Sequence, residues 1–203
     1  AVNQGDTLFA GTYGDGVYRS VNGGDSWTQL NAGLDNLFVI SFGITADGHV
    51  FTGNYLAGGI YRSMDNGDNW SPKMNGLTAT EVRALTTEGG FLFAGTYGAG
   101  VFRNWNPGDH QWEEVNNGLA AKYITCMASS ESVVLAGADR VNGNGGVFRS
   151  LDGGETWTDL FTGVSEFDVR ALRFKGYGMI FAGTYGDGVF RSTDFGTTWE
   201  PVN

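Results

Sequence analysis

The sequence predicts an all-β fold, a β-propeller of five four-stranded antiparallel blades, and three observations carry that prediction. First, one block recurs five times, marked by tryptophans at 27, 70, 112, 157 and 199 with spacings of 43, 42, 45 and 42 residues. Second, each block is a series of short apolar runs separated by Gly- and Asp-rich turns, with 34 Gly against only three Pro in 203 residues. Third, no segment has helical periodicity of useful length. A unit of that size cannot bury its apolar faces alone and must stack on its neighbours. The blocks fall at about 1–34, 35–77, 78–119, 120–164 and 165–203, taken together as one domain over 1–203.

The first strand of a block carries a β-branched residue (Val39, Val82, Ile124, Val169), then a small one two places on (Ser41, Ala84, Cys126, Ala171), then a bulky apolar one (Phe42, Leu85, Met127, Leu172). Small side chains at that position suit a strand crowded around a central axis. The second strand is apolar on both faces, as in Leu8-Phe9-Ala10-Gly11 and Ile180-Phe181-Ala182-Gly183. A strand so written is covered on both sides by neighbouring sheets. The third reads Gly-Val/Ile-Tyr/Phe-Arg-Ser/Asn, and the fourth begins at the tryptophan and runs to Leu30, Met74, Val115, Leu160 or Val202.

Between the third and fourth strands lies a turn such as Ser63-Met64-Asp65-Asn66-Gly67-Asp68-Asn69-Trp70 or Ser150-Leu151-Asp152-Gly153-Gly154-Glu155-Thr156-Trp157. The copies at Asn22 to Trp27 and Asp194 to Trp199 match closely, whereas the stretch Asn104 to Trp112 is one residue longer and has no Asp at the box position. A carboxylate or amide there accepts N–H bonds from its own turn, Gly supplies positive φ, and Trp buries a large ring. These turns resemble the Asp-box, or bacterial neuraminidase repeat, pattern S-x-D-x-G-x-T-W over nearly the whole chain. The resemblance implies structural roles for Asn22, Trp27, Asp65, Trp70, Trp112, Asp152, Trp157, Asp194 and Trp199. It is similar to units of sialidases, sortilin-type receptors, xyloglucanases and photosystem II assembly-factor propellers, where the box lies away from the ligand face. It implies a fold and no particular function.

In register with the third block, Ala1 falls about three residues inside a first strand. The sequence reading favours a closed five-bladed ring and a monomer; the alternative is a piece of a longer array or assembly, an open arc that a second chain could complete.

A formal charge of −10 with only three lysines argues against nucleic acid and anionic membrane as partners. One cysteine, Cys126, excludes an internal disulfide framework and is expected to be an inert core thiol. His49 and His110 lack ligand spacing, so no metal or cofactor is expected. The third-strand arginines Arg19, Arg62, Arg103, Arg149 and Arg191 are distributed one per blade. They are expected to pair with carboxylates or stack on rings rather than converge on one ligand.

The candidate ligand face is the set of loops between second and third strands. Tyr13 and Asp15, Tyr97, and Tyr185 and Asp187 stand in near-identical Thr-Tyr-Gly-x-Gly loops, and Tyr55 in a longer one. The longest loop, 138–146, carries Asp139, Arg140, Asn142 and Asn144. Tyrosine rings beside Asp and Asn suit carbohydrate or protein ligands, while Gly-Asp-Gly is also plain turn chemistry. The expected function is therefore a non-enzymatic, lectin-like binding module, secreted or at the cell surface, with a structural scaffold as the alternative. A glycoside hydrolase needs two carboxylates about 5 to 9.5 Å apart across a cleft. Glu81, Asp139, Asp168 and Asp187 show no such pairing by sequence.

Overall fold

The computed structural model describes residues 2–4, 6–105, 111–160 and 167–202, with backbone alone at 2–4 and 142. It contains five four-stranded sheets, each a meander in which sequence neighbours pair antiparallel. Blade 1 is β1 (Val2–Gln4), β2 (Thr7–Gly11), β3 (Val17–Ser20) and β4 (Thr28–Gln29). Blade 2 is β5 (Val39–Ile44), β6 (Val50–Asn54), β7 (Gly59–Ser63) and β8 (Ser71–Pro72). Blade 3 is β9 (Val82–Glu88), β10 (Phe91–Thr96), β11 (Gly100–Trp105) and β12 (Glu113–Glu114). Blade 4 is β13 (Ile124–Ser130), β14 (Val133–Ala138), β15 (Gly146–Ser150) and β16 (Thr158–Asp159), with a single 3-10 turn at Val141–Gly143. Blade 5 is β17 (Val169–Phe174), β18 (Ile180–Thr184), β19 (Val189–Ser192) and β20 (Glu200–Pro201). The fourth strands are two-residue stubs that start after the tryptophan, shorter than the sequence pattern suggests.

Second strands in the middle of the chain are buried throughout, as their two-sided apolar pattern requires: every residue of β6 and β14 is buried. The reason is a close approach. A Cβ on Gly53 of β6 would stand 2.7 Å from the Val82 carbonyl oxygen, and one on Gly95 of β10 would stand 2.5 Å from Ile124 Cγ2. Glycine lets the second strands of blades 1 to 4 press against the first residue of the next blade's inner strand.

The boxes form as the residue pattern demands. Ser63 Oγ accepts from the Gly67 N–H (2.7 Å) and donates to Asp65 Oδ1 (2.8 Å), which also accepts from the Asn69 N–H (2.9 Å). The same bonds recur around Ser150 and Asp152, and around Ser192 and Asp194. In blade 1, Asn22 Oδ1 takes the carboxylate's place, accepting from Ser20 Oγ and the Ser26 N–H. The third copy's turn falls largely at 106–110, outside the described residues.

Packing between blades supplies the core. Among the described residues there are four apolar clusters, one at each junction of successive blades. At every junction the apolar residue of the third strand (Val17, Ile60, Val101, Val147) belongs to the same cluster as the next blade's tryptophan (Trp70, Trp112, Trp157, Trp199). No such cluster joins blade 5 to blade 1, so the described residues form an open arc rather than the expected ring. Trp27 is therefore a correction to the buried box tryptophan: it is 40% exposed, against 4–5% for Trp70, Trp112 and Trp157. Its box is intact, but no preceding blade covers its ring.

Candidate functional site

The inner strands of blades 2 to 5 each carry a bulge near their start. Val82 pairs with Thr96 and Ala84 with Gly95, which leaves Arg83 unpaired in the ladder. Arg170 occupies the same place between Val169 and Ala171, as do Ile40 and Thr125 in their strands. A bulge bends its strand and re-aims the extra side chain. Here it turns two guanidiniums toward the loops between second and third strands, on the rim opposite the boxes.

Those loops are shaped by their own repeat. The Thr12 hydroxyl donates to the Gly16 carbonyl (2.9 Å), and Thr96 and Thr184 do the same at Gly100 and Gly188 (2.8 Å each). Gly14 (φ 120°) and Gly16 (φ 80°) both aim their N–H groups at the Leu37 carbonyl of the next blade; Gly98 and Gly100 clamp Lys122 likewise. That fold holds the tyrosine between the two fixed ends and projects it along the rim.

The result is a row of rings and charges running across all five blades. Tyr13, 67% exposed, stands edge-on to Phe38 (4.9 Å between centroids) and 5.7 Å from the Tyr55 ring. The Arg83 guanidinium lies 5.7 Å from the Tyr55 centroid and 3.5 Å from that of Tyr97, and pairs with Glu81 at 2.6 Å. Tyr97 packs edge-on against Tyr123 (4.9 Å) and donates its hydroxyl to Asp139 Oδ2 (3.1 Å). Burial, followed by that bond to Asp139, pushes the Tyr97 phenol above its ordinary value. Arg170 then bridges Asp139 (3.2 Å) and Asp168 (3.4 Å), and its Cζ sits 5.6 Å from the ring of Tyr185, itself 74% exposed.

Asp139 and Asp168, unpaired by sequence, are thus brought together on one guanidinium. Desolvation would raise Asp168, but the Arg140 N–H, the neighbouring Asp139 and Arg170 outweigh it and hold it below the ordinary carboxylate value. Of the other sequence candidates, Asp15 and Asp187 are exposed outside this row. The Asp15 N–H donates to Thr12 Oγ1 and its carbonyl accepts from Gln29 and Asn31, a turn role. Arg140 joins the site through its backbone, and Asn144 is exposed where the 3-10 turn ends. The Asn142 side chain lies outside the described residues. Sequence reasoning missed Phe38, Arg83, Tyr123 and Arg170; the only signal was their shared register around the first residue of an inner strand.

On the opposite rim the third-strand arginines stay apart; three of them tie their blade to the next, while Arg191 pairs with Glu200 of its own blade. Arg19 donates to the Asn66 carbonyl (2.6 Å) and Asp68 (2.8 Å), Arg103 to the Gly153 carbonyl (2.6 Å) with Glu155 at 2.8 Å, and Arg149 to the Phe195 carbonyl (2.7 Å). Cys126 is partly buried against the apolar cluster between blades 4 and 5, and its thiol is desolvated, which pushes it up to about 12. A cavity of about 520 Å³ opens between the inner strands at Phe42, Leu85, Met127, Leu172 and their neighbours. Among the described residues no group of His, Cys, Asp and Glu is placed to hold a metal ion. No described helix is long and apolar enough to cross a membrane.

Repeated four-stranded blades joined by Ser-Asp-Gly-Trp turns define a β-propeller chain. The family described as BNR/Asp-box repeat matches residues 190–201, the last of those turns. No curated protein matches the sequence. Among solved structures it resembles the extracellular domain of a putative hybrid two component system, BT4673, from B. thetaiotaomicron, at 16% identity over 100% of this chain and 27% of that one (TM-score 0.78). The GH74 xyloglucanase from Xanthomonas campestris matches at 17% identity over 96% and 35% (TM-score 0.73). YCF48 bound to D1 peptide matches at 20% over 98% and 64% (TM-score 0.67). The chain thus spans from about a quarter to just under two thirds of these structures, and identities this low show the fold alone.

Proposed function

We propose that the chain is a non-enzymatic binding module that holds an extended protein segment along the row from Tyr13 to Tyr185. The single observation behind this reading is the continuity of that row across five blades, with rings and charges alternating at 3.5 to 5.7 Å. Exposed rings at its two ends suit apolar side chains, and the guanidiniums and carboxylates between them suit the polar backbone and charged groups of a peptide. A sugar needs open ring faces, whereas the Arg83 guanidinium already covers the face of Tyr97. A similarly folded structure, YCF48, is described as bound to D1 peptide.

Hydrolysis suits the site less. An acid and base pair needs one carboxyl kept protonated, whereas Asp168 is held below its ordinary value and shares Arg170 with Asp139. Screening the chain against arrayed peptides and arrayed glycans tests the proposal. Peptides are expected to bind, and Tyr13→Ala or Arg83→Ala to weaken the best of them about tenfold, the effect of losing one good interface contact. Capture by glycans alone, or peptide binding indifferent to both substitutions, would overturn it.

A further inference from the structure

The loop between the second and third strands of blade 2 departs from its repeat at one backbone position. In blades 1, 3 and 5 the tyrosine is followed by Gly14, Gly98 or Gly186, with φ of 120°, 129° and 102°. In blade 2 the tyrosine is Tyr55 and the next residue is Leu56, still left-handed at φ 50°, followed by Ala57 at 61°. The Gly58 N–H donates to the Tyr55 carbonyl (3.2 Å), closing a turn whose two central residues are both left-handed. Asn-Gly is the ordinary choice there, because the Cβ of an L residue crowds its carbonyl at that φ. Burial does not offset the strain, since Leu56 is 56% exposed. Phe195, also left-handed, is by contrast half-buried and packs edge-on against Tyr177 (4.9 Å).

The surrounding bonds hold the loop in that shape. Asn54, wholly buried, accepts from the Thr52 hydroxyl (2.9 Å) and donates to the Asn36 carbonyl (2.9 Å). Asn36 donates to the Tyr55 carbonyl (3.1 Å) and accepts from the Phe38 N–H (2.9 Å), and the Tyr55 N–H donates to the Phe38 carbonyl (2.9 Å). The base of the turn is thus clamped to the connection between blades 1 and 2. Strain enforced by such bonds, with the side chain left in water, marks a residue kept outward for a partner.

The bulge of the same blade agrees. Ile40 occupies the place that Arg83 holds in blade 3 and Arg170 in blade 5. From that place Arg83 reaches Tyr97 of its own blade and Tyr55 of the one before. The same register sets Ile40, 39% exposed, between Tyr55 and Tyr13. The row therefore has an apolar end over blades 1 and 2 and a charged stretch from Arg83 to Arg170.

We propose that, granted the peptide-binding reading of the row, Tyr13, Ile40 and Leu56 form the seat for one bulky apolar side chain, aliphatic or aromatic, of the bound segment. That side chain anchors the peptide and sets which of its ends lies over blade 1. Exposed apolar groups gathered on one rim are the kind that an interface buries at its centre.

Arrayed peptides with one Leu, Phe or Trp in a background of Ser, Glu and Lys test this, beside the same peptides with Ser in its place. The apolar set is expected to bind about tenfold more tightly, the factor of one good contact. Leu56→Asn and Ile40→Thr, which keeps a β-branched residue in the bulge, are each expected to erase most of that preference. Leu56→Asn is also expected to raise Tm by about 1–3 °C, because Asn accepts left-handed backbone. A preference untouched by both substitutions, while Tyr13→Ala and Arg83→Ala still weaken binding, would overturn the seat and leave the row standing. A fall in Tm for Leu56→Asn would overturn it as well, since the leucine would then serve the loop's own packing. Failure of every peptide, apolar or not, would remove the row and the seat with it.

Discussion

Asp65, Asp152 and Asp194 show how little the box asks of charge and how much of hydrogen bonding. Asp65 is lowered chiefly by the Asn69 side chain and then its N–H; for Asp152 and Asp194 desolvation acts upward but is outweighed by the hydroxyls and N–H groups of Thr156 and Thr198. A carboxylate depressed in the folded state adds stability that is complete above its unfolded value and fades as pH falls through the folded one. The window therefore lies below the ordinary value of 3.8. Asn22 already makes the same turn bonds with a neutral side chain. Replacing all three aspartates by Asn is thus expected to keep the fold and flatten the acid limb of stability, read from denaturant melts at pH 7, 5 and 3. The gap between the two proteins should be the same at pH 7 and 5 and narrow at pH 3. Cys126 offers a second check: with its thiol pushed up to about 12, it should react with a disulfide reagent at pH 8 far more slowly than a free thiol until the protein unfolds.

At the scale of elements, what the sequence pattern reveals is what each blade does for itself. Strand periodicity, the Ser-Asp-Gly turn and the Thr-Tyr-Gly-x-Gly loop are local, so their residues carry them openly. Trp27 and Trp157 sit in the same written context, yet one is 40% and the other 5% exposed, because burial of the ring depends on the blade before it. Truncating Trp157 to Ala should cost about 3–5 kcal/mol, as for a buried aromatic, whereas Trp27→Ala should cost under about 1 kcal/mol in the monomer, as at a surface site. Denaturant unfolding of the two variants makes the comparison. Arg83 and Arg170 were illegible for a related reason: the bulges that aim them are irregularities of pairing between two strands, which no single-strand pattern records. Asp139 was visible as part of an unusually long loop, but its meeting with Asp168 depends on the next blade's position.

At the scale of the whole molecule the described residues form five blades and four apolar joints, and the second-strand glycines make that difference measurable. A Cβ at Gly11, Gly53, Gly95 or Gly137 would fall 2.2 to 2.6 Å from its nearest neighbour, and in each case the next blade's inner strand is among the atoms crowding it. At Gly183 the nearest atom is Ala171 Cβ of the same blade, 3.6 Å away, an ordinary contact. Neither Gly53 nor Gly183 has a positive φ, so backbone strain does not separate them; the neighbouring blade does, together with the Ser41 hydroxyl of the same blade, 2.2 Å from the new atom at Gly53. Gly53→Ala has to move the Val82 carbonyl, 2.7 Å from the new atom. Overpacking of that kind costs about 1–3 kcal/mol. Gly183→Ala should change stability by less than about 0.5 kcal/mol, the range of surface substitutions, when both are measured by denaturant melts at concentrations where the chain is monomeric. Equal losses at both positions would mean that blade 5 meets another blade within the same chain, and the arc would then have to be read as a ring.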